Sequence, residues 1–142
     1  MATARTAGDL TIHVGPYRSF EWFWERDDSM PALDAFESLT TRDQDDFLAS
    51  IEHWGSIPAG QRPVKSRVNR EHSDPLIVAV KAGKQRFTAF REDSGPTWIV
   101  FGHYLKEGEK RDKTGDRVVT ATVRARERYA KRVEDGTYYD RG

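Results

Sequence analysis

Apolar residues recur along the chain with two different periods, and the changes between them lay out its elements. Leu76–Lys81 and Gln85–Arg91 are rich in Val, Ile and Phe and are parted only by Ala82-Gly83-Lys84. This reads as two strands joined by a hairpin with Gly at the turn. A second turn signal, Asp93-Ser94-Gly95-Pro96, precedes a third strand over Thr97–Tyr104. Three consecutive strands so spaced make an antiparallel meander. Upstream, Leu10–Trp24 predicts a strand or a bent strand pair broken at Gly15-Pro16. Phe20, Trp22, Phe23 and Trp24 crowd its end, which fits a core strand, with a base-stacking platform as the functional alternative.

Helical periods fill the intervals. Ser29 is placed to cap a short helix with Pro31 in its first turn and Leu33, Phe36 and Leu39 on one face. Thr41-x-x-Gln44 fits a capping box that opens a second helix over Arg42–Trp54. Phe47, Leu48, Ile51 and Trp54 form its apolar stripe, and Asp43, Asp45 and Asp46 favour its positive end. A solvated cap explains those carboxylates, and His53, better than a catalytic acid pair does. Gly55–Pro63 reads as a loop and Val64–Asn69 as a short strand, with Lys65, Arg67 and Arg70 on or beside it.

After the meander, Glu107–Thr114 is a charged loop, and Thr114 or Asp116 is the expected cap of a last helix. Val118, Thr122, Ala125 and Tyr129 recur there at helical spacing. Arg124, Arg126, Arg128, Lys131 and Arg132 fall on its other faces, a basic surface for RNA, for an acidic partner or simply for solvent. Residues 1–9 and 134–142 read as flexible tails. The order of elements predicts one α+β domain over residues 1–142. It has an N-terminal strand, two helices, an antiparallel sheet of about four strands and a C-terminal helix packed on that sheet.

Charge changes this picture more than composition does. The chain is neutral overall, with 23 Lys/Arg and 23 Asp/Glu. Arg62–Arg132 nevertheless holds 18 basic and 9 acidic residues, a net +9, whereas residues 1–61 carry a net −7. A basic half of this kind binds a polyanion at close quarters without long-range attraction. The absence of cysteine excludes disulfides and thiolate-ligated metal, and permits a reducing cytosol. No apolar run approaches the ~20 residues of a membrane span, and Met1–Asp9 lacks the apolar centre of a signal peptide. His13, His53, His72 and His103 have no metal-ligand spacing, and the glycines do not form a phosphate loop. Neither a metal nor a cofactor is expected.

Candidate chemistry gathers on the meander. Cleavage of RNA through its own 2′-OH requires a base, an acid and cations for the phosphorane charge. Lys81, Arg86, Arg91, His103, Tyr104 and Lys106 lie at strand ends or in adjoining turns, where such groups can converge. His103 is equally placed, by alternation along Trp98–Tyr104, to be a hydrogen-bonded core residue.

The succession of an apolar strand ending at Lys81, a hairpin, Arg86-Phe87, a third strand ending in His103-x-Leu105-Lys106, a basic loop and a helix bearing Ala121 resembles the RelE/HigB/ParE toxin superfamily. Its HigB-like, phage-derived branch looks most similar. The resemblance covers the second half of the chain and the first half only in outline. It implies the toxin of a type II toxin–antitoxin pair, a cytoplasmic, metal-independent endoribonuclease that cuts mRNA at the ribosome and is held by a cognate antitoxin. Arg86, His103, Tyr104 and Lys106 would be catalytic, and Lys81, Lys84, Arg91, Lys110, Arg111 and Lys113 would bind RNA. Ile77 and Ala79 stand where strongly active members often carry paired lysines. That departure keeps open a non-catalytic alternative, either a ParE-like topoisomerase inhibitor or a degenerate RNA-binding regulator.

Overall fold

The computed structural model describes residues 3–93 and 95–140. In chain order the elements are α1 (Ala7–Leu10), β1 (Thr11–Val14), β2 (Ser19–Trp22), α2 (Pro31–Glu37) and α3 (Thr41–Gly55). They continue with β3 (Val68–Ser73), β4 (Leu76–Ala82), β5 (Gln85–Arg91), β6 (Thr97–Leu105) and α4 (Lys113–Glu134). The architecture is mixed α+β, built on one sheet in the order β1-β2-β6-β5-β4-β3.

The meander β4-β5-β6 is antiparallel, as its turn signals imply. The expectation of about four strands is corrected to six. Leu10–Trp24 folds into a hairpin, β1 with β2, and β2 then joins β6 in parallel. β3 begins four residues later than predicted. Val64–Val68 closes a turn in which Arg67 and Val68 both donate to the Val64 carbonyl. The strand that follows, Asn69-Arg70-Glu71-His72, is polar because it is an edge and only one of its sides meets another strand.

Helices cover both faces of the sheet. Phe20, Trp22, Val78, Val80, Phe87, Trp98 and Val100 pack against Phe47, Ile51 and Trp54 of α3. Ile77, Phe90, Ile99 and Phe23 pack against Val119, Ala125 and Tyr129 of α4. Burial on both faces is why β4 reads as an unbroken apolar run and not an alternating one. The aromatics Phe20, Trp22, Phe23 and Trp24 are all buried and form core, not a stacking surface.

Several local expectations are corrected. Met30, and not Ser29, is the N-cap of α2, and its side chain makes no cap bond; the Ser29 N–H donates to the Asp27 carboxylate at 2.9 Å. Thr40 caps α3, accepting from the Asp43 N–H at 3.2 Å, and Leu48 faces outward. Asp112 caps α4, accepting from Gly115 at 2.9 Å, in place of Thr114 or Asp116. The described parts of both expected tails are tied down. Arg5 donates to the Tyr138 carbonyl, Asp140 donates to that of Arg5, and Tyr138 is fully buried against Trp24. Met1, Ala2, Ser94, Arg141 and Gly142, which complete those tails and the β5–β6 turn, lie outside the described residues. Among the described residues no helix is long and apolar enough to cross a membrane.

Candidate functional site

Strand pairing decides which candidate side chains meet. Lys81 lies opposite Arg86, and Arg86 opposite Tyr104. Cross-strand partners project from the same face, so these three share the α4 side of the sheet. Phe87 lies opposite His103 on the other side, where the rings are 4.9 Å apart. A bulge sets this division. Ala89 pairs with Val100 but Thr88 with Gly102, leaving Phe101 as an extra residue that reverses the alternation of β6. The expectation that His103 and Tyr104 converge with Arg86 is therefore half corrected, because Tyr104 joins it and His103 does not.

On the α4 side the cluster is cationic and anchored. The Arg86 guanidinium donates from Nη1 to the Gly83 carbonyl at 2.6 Å and to its neighbour's, Gln85, at 3.0 Å. These bonds hold it at the β4–β5 turn, whose Gly83 has the positive φ of 60° that Gly tolerates. The Gly83 N–H in turn donates to Asp46 of α3. Asp46 also takes Arg67, so it braces the turn and is more than the solvated cap it resembled. Lys106 follows β6, and its N–H donates to the Lys84 carbonyl at 2.9 Å, bringing its side chain to the same end of the sheet.

Electrostatics registers the crowding. Burial lowers the Lys81 ammonium below its ordinary value, and the adjacent Arg86 and Lys106 lower it further, against Glu71. Burial also pulls Arg86 down, opposed by Tyr104 and Glu71. Glu71 went unnoticed in the sequence. A bulge in β3 between Arg70 and His72 turns it toward Tyr104, whose hydroxyl donates to it at 3.1 Å. Arg111 completes this knot, donating to Glu71 Oε2 at 2.7 Å and to Asp116 at 2.6 Å. Tyr104 is buried, and burial together with Glu71 drives its hydroxyl far above the ordinary phenol range. Arg111 and Tyr104 therefore support the site more than they face a ligand.

The remaining candidates disperse. His103 contacts the Gln85 side chain at 2.6 Å, and burial lowers its pKa, which keeps the ring neutral. Arg91 sits at the far end of β5, opposite Trp98 and close enough to Arg18 for the two charges to repel. Lys84, Lys110 and Lys113 are exposed beside the cluster, in the β4–β5 turn, the charged loop and the first turn of α4. Arg132, expected on a basic outer face of α4, is buried and donates to the Trp24 carbonyl at 2.6 Å. No group of three His, Asp or Glu among the described residues is placed to hold a metal.

A scan of family models and a search of curated proteins found no match to the chain. What the cluster offers is a patch of cations with one carboxylate, Glu71, already committed to Arg111 and Tyr104.

Proposed function

We propose that the chain is an RNA-directed toxin of the RelE/HigB type, whose site is the Lys81–Arg86–Lys106 cluster. The observation that carries the reading is the cross-strand placement of Lys81 against Arg86, with Lys106 near enough to act on the same ammonium. Three cations held together at a cost in desolvation are stabilised by a bound polyanion, and the RNA backbone supplies one.

The same arrangement supports cleavage. An ammonium with a lowered pKa has more free amine near neutral pH, and Lys81 can then accept the 2′-OH proton. The 2′ oxygen attacks the adjacent phosphorus, and Arg86 and Lys106 stabilise the phosphorane charge. The 5′ oxygen leaves and is protonated by water, giving a 2′,3′-cyclic phosphate and a 5′-hydroxyl end. His103 has no part in this scheme, and Tyr104 orients Glu71 and Arg111. An acidic antitoxin segment would cover Arg86, Lys106 and the exposed α4 residues Lys113, Arg117 and Arg124, with charge speeding the encounter.

Expression in bacteria tests this directly. The reading expects growth arrest with cleaved transcripts, relieved by Lys81→Ala or Arg86→Ala, and co-purification with the product of an adjacent gene. Normal growth in the presence of folded wild-type protein would overturn it. One observation favours the non-catalytic reading, namely that both residues best suited to move protons, His103 and Tyr104, are already engaged within the protein. RNA bound but left intact, or DNA-damage signalling with intact mRNA, would select that alternative.

A further inference from the structure

Helix α4 carries seven Lys and Arg, and the fold uses three of them. Arg132 is buried, Arg126 pairs with Asp93 at 3.0 Å and Arg128 with Glu25 at 3.1 Å. Lys113, Arg117, Arg124 and Lys131 are exposed, and their side chains form no ion pair or hydrogen bond among the described residues. At 3.6 residues per turn these four fall within an arc of about 40°, opposite the buried Thr122 and Tyr129. They make one straight row, about 27 Å long at 1.5 Å per residue.

A helix face that is merely solvated mixes its signs, with carboxylates three or four residues from its cations. Here the row is of one sign. Asp116 is taken by Arg111, and Glu127 forms no ion pair with Lys131, four residues on. Lys113 and Arg117 are themselves four apart, and like charges at that spacing disfavour a helix. The row also starts beside the Lys81–Arg86–Lys106 cluster. Lys113 shares the first turn of α4 with Gly115, where an added Cβ would lie 3.0 Å from the Tyr104 ring. Tyr104 is in turn the cross-strand partner of Arg86.

We propose that this row is a track for single-stranded RNA, which leaves the cluster and runs along the outer face of α4. The proposal rests on the RNA reading of that cluster and adds the strandedness and reach of the substrate. No large apolar side chain is exposed on α4, so bases find no stacking platform there and the contact is with phosphates. The ridge is convex and its cations stand in one row, which meets one strand. An A-form duplex instead sets its phosphates in two rows flanking the grooves. Binding along α4 is therefore independent of base sequence.

The test is binding of the full chain to 2′-O-methyl RNA, which lacks the nucleophile and stays intact, in single strands of about 4 and about 16 nucleotides. The longer strand should bind more tightly. Arg124→Ala and Lys131→Ala change exposed positions to the best helix former, so the fold is kept. Each should weaken the longer strand about fourfold at about 0.15 M salt and flatten its salt slope by about 0.7. Neither should alter binding of the shorter strand, and Arg124→Lys, which keeps the charge, should restore the longer one. Arg86→Ala separates the two readings. Losses in the α4 variants with none in Arg86→Ala would leave the track standing and the cluster without RNA. Losses in Arg86→Ala with none in Arg124→Ala and Lys131→Ala would overturn the track and leave the cluster standing. Tighter binding of an RNA duplex than of the single strand would also overturn it.

Discussion

Arg86 and Tyr104 face each other across the β5–β6 pair, and His103, one residue before Tyr104, is turned to the opposite side of the sheet. Ordinary strand alternation separates the two groups of the His103-Tyr104 dipeptide that could transfer protons, and the bulge at Phe101 decides that Tyr104 is the one on the Arg86 side. Arg86→Ala should therefore lower RNA affinity about tenfold, the weight of a charge-assisted contact. His103→Ala should stay within about twofold of wild type. Binding to a labelled single strand measures both, and equal losses would contradict the division of faces.

Salt offers an independent reading of the cluster. RNA affinity should fall linearly with ionic strength on logarithmic axes. Removing Lys81 should flatten the slope by about 0.7 if that side chain meets one phosphate of a single strand. A slope unchanged in Lys81→Ala would place the phosphate contact elsewhere.

Tyr104→Phe isolates the hydroxyl that holds Glu71. The ring keeps its place against Gly115, and Glu71 keeps Arg111, so only one buried hydrogen bond is lost. Urea unfolding should show a loss of about 1 kcal/mol, with RNA binding retained. A collapse of binding at unchanged stability would mean that the hydroxyl touches the ligand.

Gly102 is required by proximity and not by backbone angle. A Cβ there would lie 2.7 Å from Thr88 Oγ1 and 2.8 Å from a Val118 methyl, where β6 meets α4. Thr88 is also fixed by its contact with Thr122 at 2.7 Å and by accepting from the Gly102 N–H. Gly102→Ala should cost about 1–3 kcal/mol through overpacking, visible as a lowered melting temperature. A neutral result would mean that α4 can lift off the sheet without penalty.

Glu21 makes stability depend on pH. Its carboxyl is buried on the α4 side and accepts from the Tyr139 hydroxyl at 2.5 Å. Burial raises its pKa above the ordinary 4.5, the Tyr139 bond opposes that, and Glu92 adds to it. The folded state then holds the proton more tightly than the unfolded chain does. The stabilisation is complete below the unfolded value and is lost as pH rises through the raised one. Glu21→Gln, still able to accept from Tyr139, should flatten the fall in stability above pH 4.5. A profile unchanged by the substitution would assign the slope to other groups.

Local chemistry determined much of this protein. The strands of the meander, the hairpin at Gly83, the bent pair at Gly15-Pro16 and the stripe Phe47-Ile51-Trp54 follow from neighbours in the chain, because turn residues and side-chain period act over a few positions. The basic character of Arg62–Arg132 was equally open to inspection. Tertiary structure alone decided where those charges point. The Phe101 bulge moved His103 away from Arg86, a second bulge brought Glu71 to Tyr104, and the last turn of α4 buried Arg132 against the stacked rings of Trp24 and Tyr138. Each depends on partners distant in sequence, and a one-residue slip in a strand exchanges its two faces. The side chains that would meet a ligand were therefore visible as residue types, but their grouping waited on strand register and helix packing.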